Sequence, residues 1–141
     1  MPAKGFTLQP ACFLEQNYNL EVLILIIGIG TDIIEISRME EALASEDFMN
    51  KVYTETEKNR TFINTLSGYF AAKEAVSKAL GTGFSKVRPN EIEIVNNPMG
   101  KPYVNLYGNA KERAKSLGVK IVHVSISHSK DMATAIAIAE K

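Results

Sequence analysis

The sequence lacks several features that would assign it to a particular class of protein. It has no tryptophan and a single cysteine, Cys12, which excludes an internal disulfide and leaves no zinc-ligand spacing. Neither charge dominates, because 16 lysines and arginines balance 16 aspartates and glutamates. The apolar run over residues 20–30 contains Glu21 and is shorter than the roughly 20 apolar residues that span a bilayer. We therefore expect a cytoplasmic protein that binds neither nucleic acid nor membrane.

The composition is that of one globular domain. The chain has 141 residues, of which 45% are hydrophobic and 23% charged, and this length suits a single core. Residues 1–19 have no clear periodicity of hydrophobic residues. We divide the chain into an N-terminal extension of unassigned role, residues 1–25, and a domain of residues 26–141.

The domain opens with a strand signal that carries two glycines. A run of leucines and β-branched residues over Leu20–Ile29 predicts a strand buried on both faces, ended by Gly28, Gly30 and Asp32. The glycines do not form a dinucleotide fingerprint, because its third glycine would fall at Ile33, and no Gly-Lys-Ser/Thr follows. Asp32 is either an ordinary turn residue or a metal-binding carboxylate at the end of a buried strand.

Two capping-box signals follow the strand. Ser37 and Glu40 have the required spacing and predict a helix that starts at Ser37. Thr54 and Glu57 have the same spacing and predict a second helical stretch through about Asn64.

The strongest helix signal runs from about Leu66 to Leu80 and ends at Gly81, a residue suited to a left-handed terminus. Winding it at 100° per residue separates three faces. Small side chains form a stripe at Gly68, Ala72, Ala75 and Ala79. A bulky arc beside it contains Leu66, Tyr69, Val76 and Leu80. The other flank of the stripe carries Ser67, Glu74 and Lys78.

The second half of the domain predicts a hairpin, a helix and two more strands. The predicted elements are a strand at Glu91–Val95, its partner at Pro102–Leu106, a helix at Asn109–Leu117 before Gly118, and strands at residues 119–127 and 132–139. The last strand has an all-alanine face, made of Ala133, Ala135, Ala137 and Ala139. We expect the small stripe of the long helix to dock on this face, giving an α+β fold with a long helix on a mainly antiparallel sheet.

Glu74 and Lys78 are one helical turn apart. They form either a surface ion pair or part of a site in which Glu74 joins Asp32 around one magnesium ion completed by substrate phosphates. In the second case Lys78 would stabilise negative charge on the same phosphates. Lys73, at the edge of the bulky arc, either extends its amine to solvent or contacts substrate.

Other polar positions have ordinary alternatives. His128 lies at the mouth of a predicted hairpin, either as a turn residue or as a ligand contact. The loop Gly81, Thr82 and Gly83 is either a helix cap or a binding loop. Lys101 and Pro102 are either plain hairpin residues or substrate contacts.

Five segments, taken in order, resemble the holo-acyl-carrier-protein synthases, the small single-domain branch of the 4′-phosphopantetheinyl transferases. They are Gly-Ile-Gly-Thr-Asp-Ile-Ile-Glu-Ile (28–36) with Arg38, Phe-Ala-Ala-Lys-Glu-Ala (70–75), Lys-Ala-Leu-Gly-Thr-Gly (78–83), Asn-Pro-Met-Gly-Lys-Pro (97–102) and Ile-Ser-His-Ser (126–129). The resemblance covers roughly residues 26–141. It implies a homotrimer with active sites in the clefts between subunits.

The resemblance also implies an activity and residue roles. The enzyme would move phosphopantetheine from coenzyme A to a serine of apo-acyl carrier protein, with Mg²⁺ on the coenzyme A pyrophosphate. Asp32 and Glu74 would bind the metal, and Lys78 would contact the phosphates and ease departure of adenosine 3′,5′-bisphosphate. Residues along the nucleotide end would be His128, Gly81, Thr82, Gly83, Lys101 and Pro102. Arg38 would meet acidic residues of the carrier protein, and the proton acceptor is left open between a metal-bound water and a carboxylate acting through water.

Two departures accompany the resemblance. Tyr69 stands where many relatives carry arginine, so another cation must replace that arginine if it contacts a phosphate. The leader of about 25 residues precedes a strand that in relatives lies almost at the N-terminus. Two other functions use similar residues: a magnesium phosphohydrolase, and a coenzyme A or nucleotide-binding module without turnover.

Overall fold

The structure is a computed structural model that describes residues 25–141. The predicted strand start at Leu20, and the N-terminal extension up to residue 24, lie outside the described residues. None of the helices in the described part of the chain is long and apolar enough to cross a membrane.

The described residues form an α+β fold. In chain order the elements are β1 (Ile26–Glu35), α1 (Ile36–Leu43), α2 (Glu46–Val52), α3 (Glu55–Lys58), α4 (Ile63–Ala79), β2 (Ile92–Asn96), β3 (Pro102–Leu106), α5 (Gly108–Leu117), β4 (Ile121–His128) and β5 (Met132–Glu140). Two short 3₁₀ turns, Gly83–Ser85 and Pro89–Glu91, join α4 to β2. The predicted elements of the second half are thus confirmed to within two residues.

All strand pairs are antiparallel. β5 lies between β1 and β4 in a three-stranded sheet, and β2 pairs with β3 in a separate hairpin. Within the larger sheet, Asp32 is opposite Ala135, which is opposite Ile126 on the other side. Because directly paired residues point to the same face, Asp32 shares the face of the buried alanines.

The 17-residue helix α4 lies across that face. All four alanines of the β5 face are buried, as are Ala72, Ala75 and Ala79 of α4. Gly68, at the other end of the small stripe, lies against Ile126 of β4. The predicted docking of the stripe on the alanine face is therefore confirmed, with α4 crossing from β4 over β5 to β1.

The glycines of β1 serve this contact and do not end the strand. A Cβ on Gly30 would lie 1.9 Å from the carbonyl oxygen of Ala75, and one on Gly28 would lie 2.0 Å from that of Ala79. Only a residue without a Cβ allows this approach. The prediction that the strand stops at Asp32 was wrong, because β1 continues to Glu35 in register with β5.

Three other expectations need correction. β1 is buried on one face only: Ile29 is 60% exposed and Ile33 64%. The helix after it begins at Ile36 without a side-chain cap, because the Ile36 N–H already bonds to the carbonyl of Asp131. The capping box of Thr54 and Glu57 is present, but α3 ends at Lys58, where the chain turns to enter α4.

Candidate functional site

The register of β1 directs the Asp32 carboxylate toward the C-terminal half of α4. The Lys78 ammonium lies 3.2 Å from Asp32 Oδ1 and donates a hydrogen bond of 2.9 Å to the carbonyl of Thr31. The hydroxyl of Thr134 on β5 donates to the carbonyl of Asp32 at 2.8 Å and fixes the strand there. The side chains of Asp32 and Lys78 are 18% and 48% exposed, so the pair faces an opening rather than the core.

Glu74 completes this centre. It lies one helical turn before Lys78 and is half-buried. Burial raises the pKa of Glu74, the charge of Asp32 raises it further, and Lys78 opposes both. Glu74 therefore lies one helical turn from the Lys78–Asp32 pair, and the charge of Asp32 acts on its carboxyl group.

The donor set fits a magnesium ion that substrate oxygens complete. The described residues contain no group of three or more histidine, cysteine or acidic side chains that could hold a metal by themselves. Two carboxylates with phosphate oxygens and water are the usual magnesium donors. A divalent cation between Asp32 and Glu74 would also relieve the repulsion that, after burial, raises the Glu74 pKa.

The loop from Gly81 to Gly83 follows α4 directly, within one turn of Lys78. Gly81 and Gly83 have φ values of 78° and 56°, a left-handed conformation that favours glycine. Gly81 and Thr82 border a cavity of about 340 Å³ beside Arg113, whose Nε donates to the Leu80 carbonyl at 3.0 Å. The expected binding loop is therefore adjacent to the acidic centre.

The remaining expected contacts lie elsewhere in the chain. His128 and Pro102 border a cavity of about 190 Å³ at Gly68, about 15 Å along α4 from Lys78 at 1.5 Å per residue. Lys101 extends over the ring of Tyr103, with 5.5 Å between Nζ and the ring centroid. The structure does not bring His128, Lys101 or Pro102 to Asp32 within one chain.

Arg38 is exposed on α1. This helix follows β1 without a loop, so Arg38 comes only a few residues after Asp32. Its side chain forms no ion pair within 4 Å among the described residues. Arg38 is thus a solvent-facing cation on an element next to the acidic centre.

One groove in the described part of the chain lies away from the acidic centre. Its volume is about 640 Å³, and it runs between β3, α5 and β4 past Lys101 and Pro102 without reaching Asp32, Glu74 or Lys78. We base the site on the acidic centre, because the chemistry of the side chains, and not cavity size, defines what a site does.

A buried ion pair behind the centre was not predicted. The Lys73 ammonium lies 2.8 Å from Glu57 Oε2, and both side chains are 0% exposed. Lys73 also donates to the carbonyls of Pro89 and Ile92, and Glu57 accepts from the N–H of Ile94 at 2.7 Å. Burial lowers the pKa of Lys73, and the Glu57 charge opposes this. The two alternatives predicted for Lys73, an amine extended to solvent and a substrate contact, were both wrong. The signal for its burial was its position in the helix, at the edge of the bulky arc that contains Tyr69 and Val76.

Comparisons with known proteins agree on one family. Residues 28–137 match the family described as the 4′-phosphopantetheinyl transferase superfamily. The holo-[acyl-carrier-protein] synthase of Lachnoclostridium phytofermentans is 48% identical over 118 residues, which cover 82% of this chain and 97% of that protein.

Solved structures give the same result. The holo-(acyl-carrier-protein) synthase of Bacillus anthracis in complex with CoA (3′,5′-ADP) is 40% identical with a TM-score of 0.70, covering 83% of this chain and 98% of that one. The Plasmodium yoelii acyl carrier protein synthase with ADP bound is 39% identical with a TM-score of 0.73, covering 82% and 95%.

Proposed function

The chain belongs to the 4′-phosphopantetheinyl transferase superfamily, and from that premise we propose how its acidic centre works. It is a holo-acyl-carrier-protein synthase, transferring the 4′-phosphopantetheine group of coenzyme A to apo-acyl carrier protein. The observation that carries the proposal is the convergence of Asp32, Glu74 and Lys78 from β1 and α4.

We propose that Asp32 and Glu74 hold Mg²⁺ against the pyrophosphate of coenzyme A. Bound there, the ion would neutralise charge on the pyrophosphate oxygens. The two side chains supply rigid ligands, because Asp32 is on a strand paired with β5 without interruption from Gly28 to Glu35, and Glu74 is on a packed helix. Preorganised ligands of this kind spend little free energy on reorganisation during the reaction.

Lys78 has a separate role in this proposal. The serine hydroxyl attacks the β-phosphorus and gives its proton to water, and the bond to the leaving adenosine 3′,5′-bisphosphate breaks, so negative charge grows on the leaving phosphate. The Lys78 ammonium is held at Asp32 and the Thr31 carbonyl and is half exposed. It can therefore donate to that phosphate without being moved into place.

We propose a homotrimer that joins two halves of the active site. The sheet face opposite α4 exposes Ile29, Ile33 and, at 43%, Ile136, an apolar surface suited to a subunit interface. β1 and β4 are opposite edges of the sheet, and a cyclic interface joins different surfaces of two copies. His128, Lys101 and Pro102 of one subunit would then meet Asp32 of the next, as nucleotide contacts beside the Gly81–Gly83 loop.

The carrier protein would approach over α1. Arg38 is exposed and unpaired among the described residues, so it can meet an acidic surface of apo-acyl carrier protein. Electrostatic attraction of this kind mainly raises the association rate. An Arg38→Glu variant should raise KM for the carrier protein and leave KM for coenzyme A unchanged, whereas Lys51→Glu on α2 should change neither.

We propose that the enzyme acts in the cytoplasm.

One assay separates transfer from its alternatives. Purified protein is incubated with coenzyme A, Mg²⁺ and apo-acyl carrier protein, and the carrier is weighed by mass spectrometry. We expect the mass to increase by one phosphopantetheine, and the increase to disappear with EDTA. Cleavage of coenzyme A without carrier would indicate a phosphohydrolase, and coenzyme A binding with no product would indicate a module without turnover.

A further inference from the structure

The groove of about 640 Å³ between β3, α5 and β4 has no role in the acidic centre. Residues 101–107, which include β3, and residues 119–124, which include the first half of β4, all border it. Successive side chains of a strand point to opposite faces, so an unbroken run of lining residues means that the edge of the strand faces the groove. The groove therefore lies between two strand edges.

The edge of β4 is free to pair with another strand. β4 pairs with β5 alone in the described sheet, and no backbone hydrogen bond joins it to β3 within residues 25–141. Edge strands are usually protected by lysine, proline or a bulge. β4 contains neither of these residues and pairs with β5 without a register shift, whereas β3 begins with Pro102. Unpaired N–H and C=O groups therefore border the groove along about 13 Å of β4, over residues 121–124.

The lining of the groove combines half-buried apolar side chains with exposed cations. The apolar part includes Val104, Val122 and Val124. Four lysines also border the groove, and none of the lining residues that the structure describes is acidic. Lys115 forms an exposed pair with Glu112, and His123 bonds to Glu140. The other three lysines have no carboxylate within 4 Å in the described chain: Lys101, Lys111 and Lys120. Charge complementarity therefore favours an acidic partner.

We propose that this groove binds an extended acidic segment of a partner protein, which pairs as a strand with the edge of β4 and places carboxylates beside Lys111 and Lys120. The backbone of the segment satisfies the unpaired groups of β4, as in other complexes formed by strand addition. Alternate residues of a strand point to opposite faces, so apolar side chains at every second position can cover the valines while acidic ones between them reach the lysines. An anion without a peptide backbone would leave the β4 edge unpaired. The inference does not depend on the proposed transfer reaction.

The probe is a fluorescein-labelled peptide that alternates glutamate and valine. Its binding is measured by fluorescence anisotropy for the parent, for Lys111→Gln/Lys120→Gln, and for Lys51→Gln/Lys86→Gln, a control that changes two exposed lysines outside the groove. We expect the groove variant to bind about tenfold more weakly than the parent and the control, as the loss of two exposed ion pairs implies. The same peptide with N-methylated backbone amides should bind the parent about tenfold more weakly or worse, because it cannot donate to a strand edge. The unmethylated peptide should slow hydrogen exchange of amides within residues 121–124 of the parent.

Four results would overturn the inference. The first is a peptide that does not bind the parent or binds the three proteins equally, and the second is an N-methylated peptide that binds as tightly as the unmethylated one. The third is a set of β4 amides that are protected from exchange in the free parent and lose this protection in Ile33→Lys, which would show that a second copy of the chain fills the groove. Transfer to apo-carrier, measured in parallel, should be equal in the three proteins. The fourth is a loss of transfer confined to the groove variant, which would assign the groove to the transfer reaction.

Discussion

At the scale of the residue, Asp32 has two electrostatic neighbours of opposite sign. Lys78 stabilises its carboxylate at 3.2 Å, whereas Glu74 repels it, and this repulsion adds to burial in raising the pKa of Glu74. The repulsion costs free energy in the unliganded protein. The divalent cation that we propose between the two carboxylates would remove that cost.

Removing either charge should abolish transfer and spare the fold. Asp32→Asn and Glu74→Gln keep the size of the side chains but remove a metal ligand, and we expect kcat/KM to fall by about a hundredfold or more. The midpoint of thermal unfolding should change by no more than a few degrees, since neither side chain is fully buried. Asp47→Asn, an exposed carboxylate on α2, serves as the control and should keep full activity. Transfer retained in either site variant would contradict the assignment.

The buried pair of Lys73 and Glu57 should contribute to stability without touching substrate. Lys73→Met leaves the Glu57 carboxylate unpaired in the core, and we expect the free energy of unfolding to fall by about 3–5 kcal/mol. Adding Glu57→Gln removes the unpaired charge and should restore part of the loss. Urea denaturation at one fixed protein concentration measures both. Lys51→Met breaks the exposed pair with Asp47 and should lower the free energy of unfolding by less than about 1 kcal/mol. A Lys73→Met protein that loses no more stability than Lys51→Met would contradict this account.

Sequence alone predicts part of this chemistry. Asp32, Glu74 and Lys78 could be grouped because helical spacing relates two of them and the family resemblance supplies the third. The partners of Lys73 could not be found, since an ion pair between α3 and α4 depends on how the two helices pack.

At the scale of the element, the contact between β1 and α4 positions the centre. Backbone meets backbone at Gly30 and Ala75, and the alanine face of β5 lets the same helix lie close. The alanine pattern was visible in the sequence because strand periodicity exposes it. The role of Gly28 and Gly30 could not be predicted from the sequence. A glycine needed for close approach of a helix and a glycine that ends a strand give the same sequence pattern until the position of the partner helix is known.

Gly30→Ala should therefore damage stability and activity together. The added Cβ would lie 1.9 Å from the Ala75 carbonyl oxygen, so α4 must move away, at a cost of about 3 kcal/mol. Such a shift would carry Glu74 away from Asp32 and lower kcat. Gly118→Ala is the control: its φ of 74° is strained for alanine, but the added Cβ would meet only the flexible Lys141 side chain at 3.6 Å, so we expect a loss of about 1 kcal/mol and normal kcat. Equal losses in the free energy of unfolding of the two variants, measured by urea denaturation, would contradict the close approach of β1 and α4.

At the scale of the whole molecule, the chain has an apolar sheet face and two separated groups of site residues. The sequence predicted β1 as buried on both faces, yet among residues 25–141 only the α4 face is covered. A second copy over Ile29 and Ile33 would cover the other one. Assembly cannot be derived from periodicity, because a strand buried by its own chain and one buried by a partner have the same pattern.

The assembly is tested by placing a charge on that face. Ile33→Lys puts an ammonium on a side chain that is 64% exposed in the single chain, so the monomer should still fold. We expect light scattering to show a trimer for the parent and for Ala44→Lys, a control in the turn after α1, and a smaller species without transfer activity for Ile33→Lys. A monomeric parent, or an Ile33→Lys protein with the parent's mass and activity, would rule out the proposed interface.

The claim that two carboxylates from distant parts of the chain hold one divalent ion is tested most directly by crystals grown with Mn²⁺ and coenzyme A. The anomalous difference map should contain one peak about 2 Å from carboxylate oxygens of both Asp32 and Glu74 and from a pyrophosphate oxygen. A fully occupied coenzyme A with no peak between these two side chains, or with its metal bound elsewhere, would contradict the account.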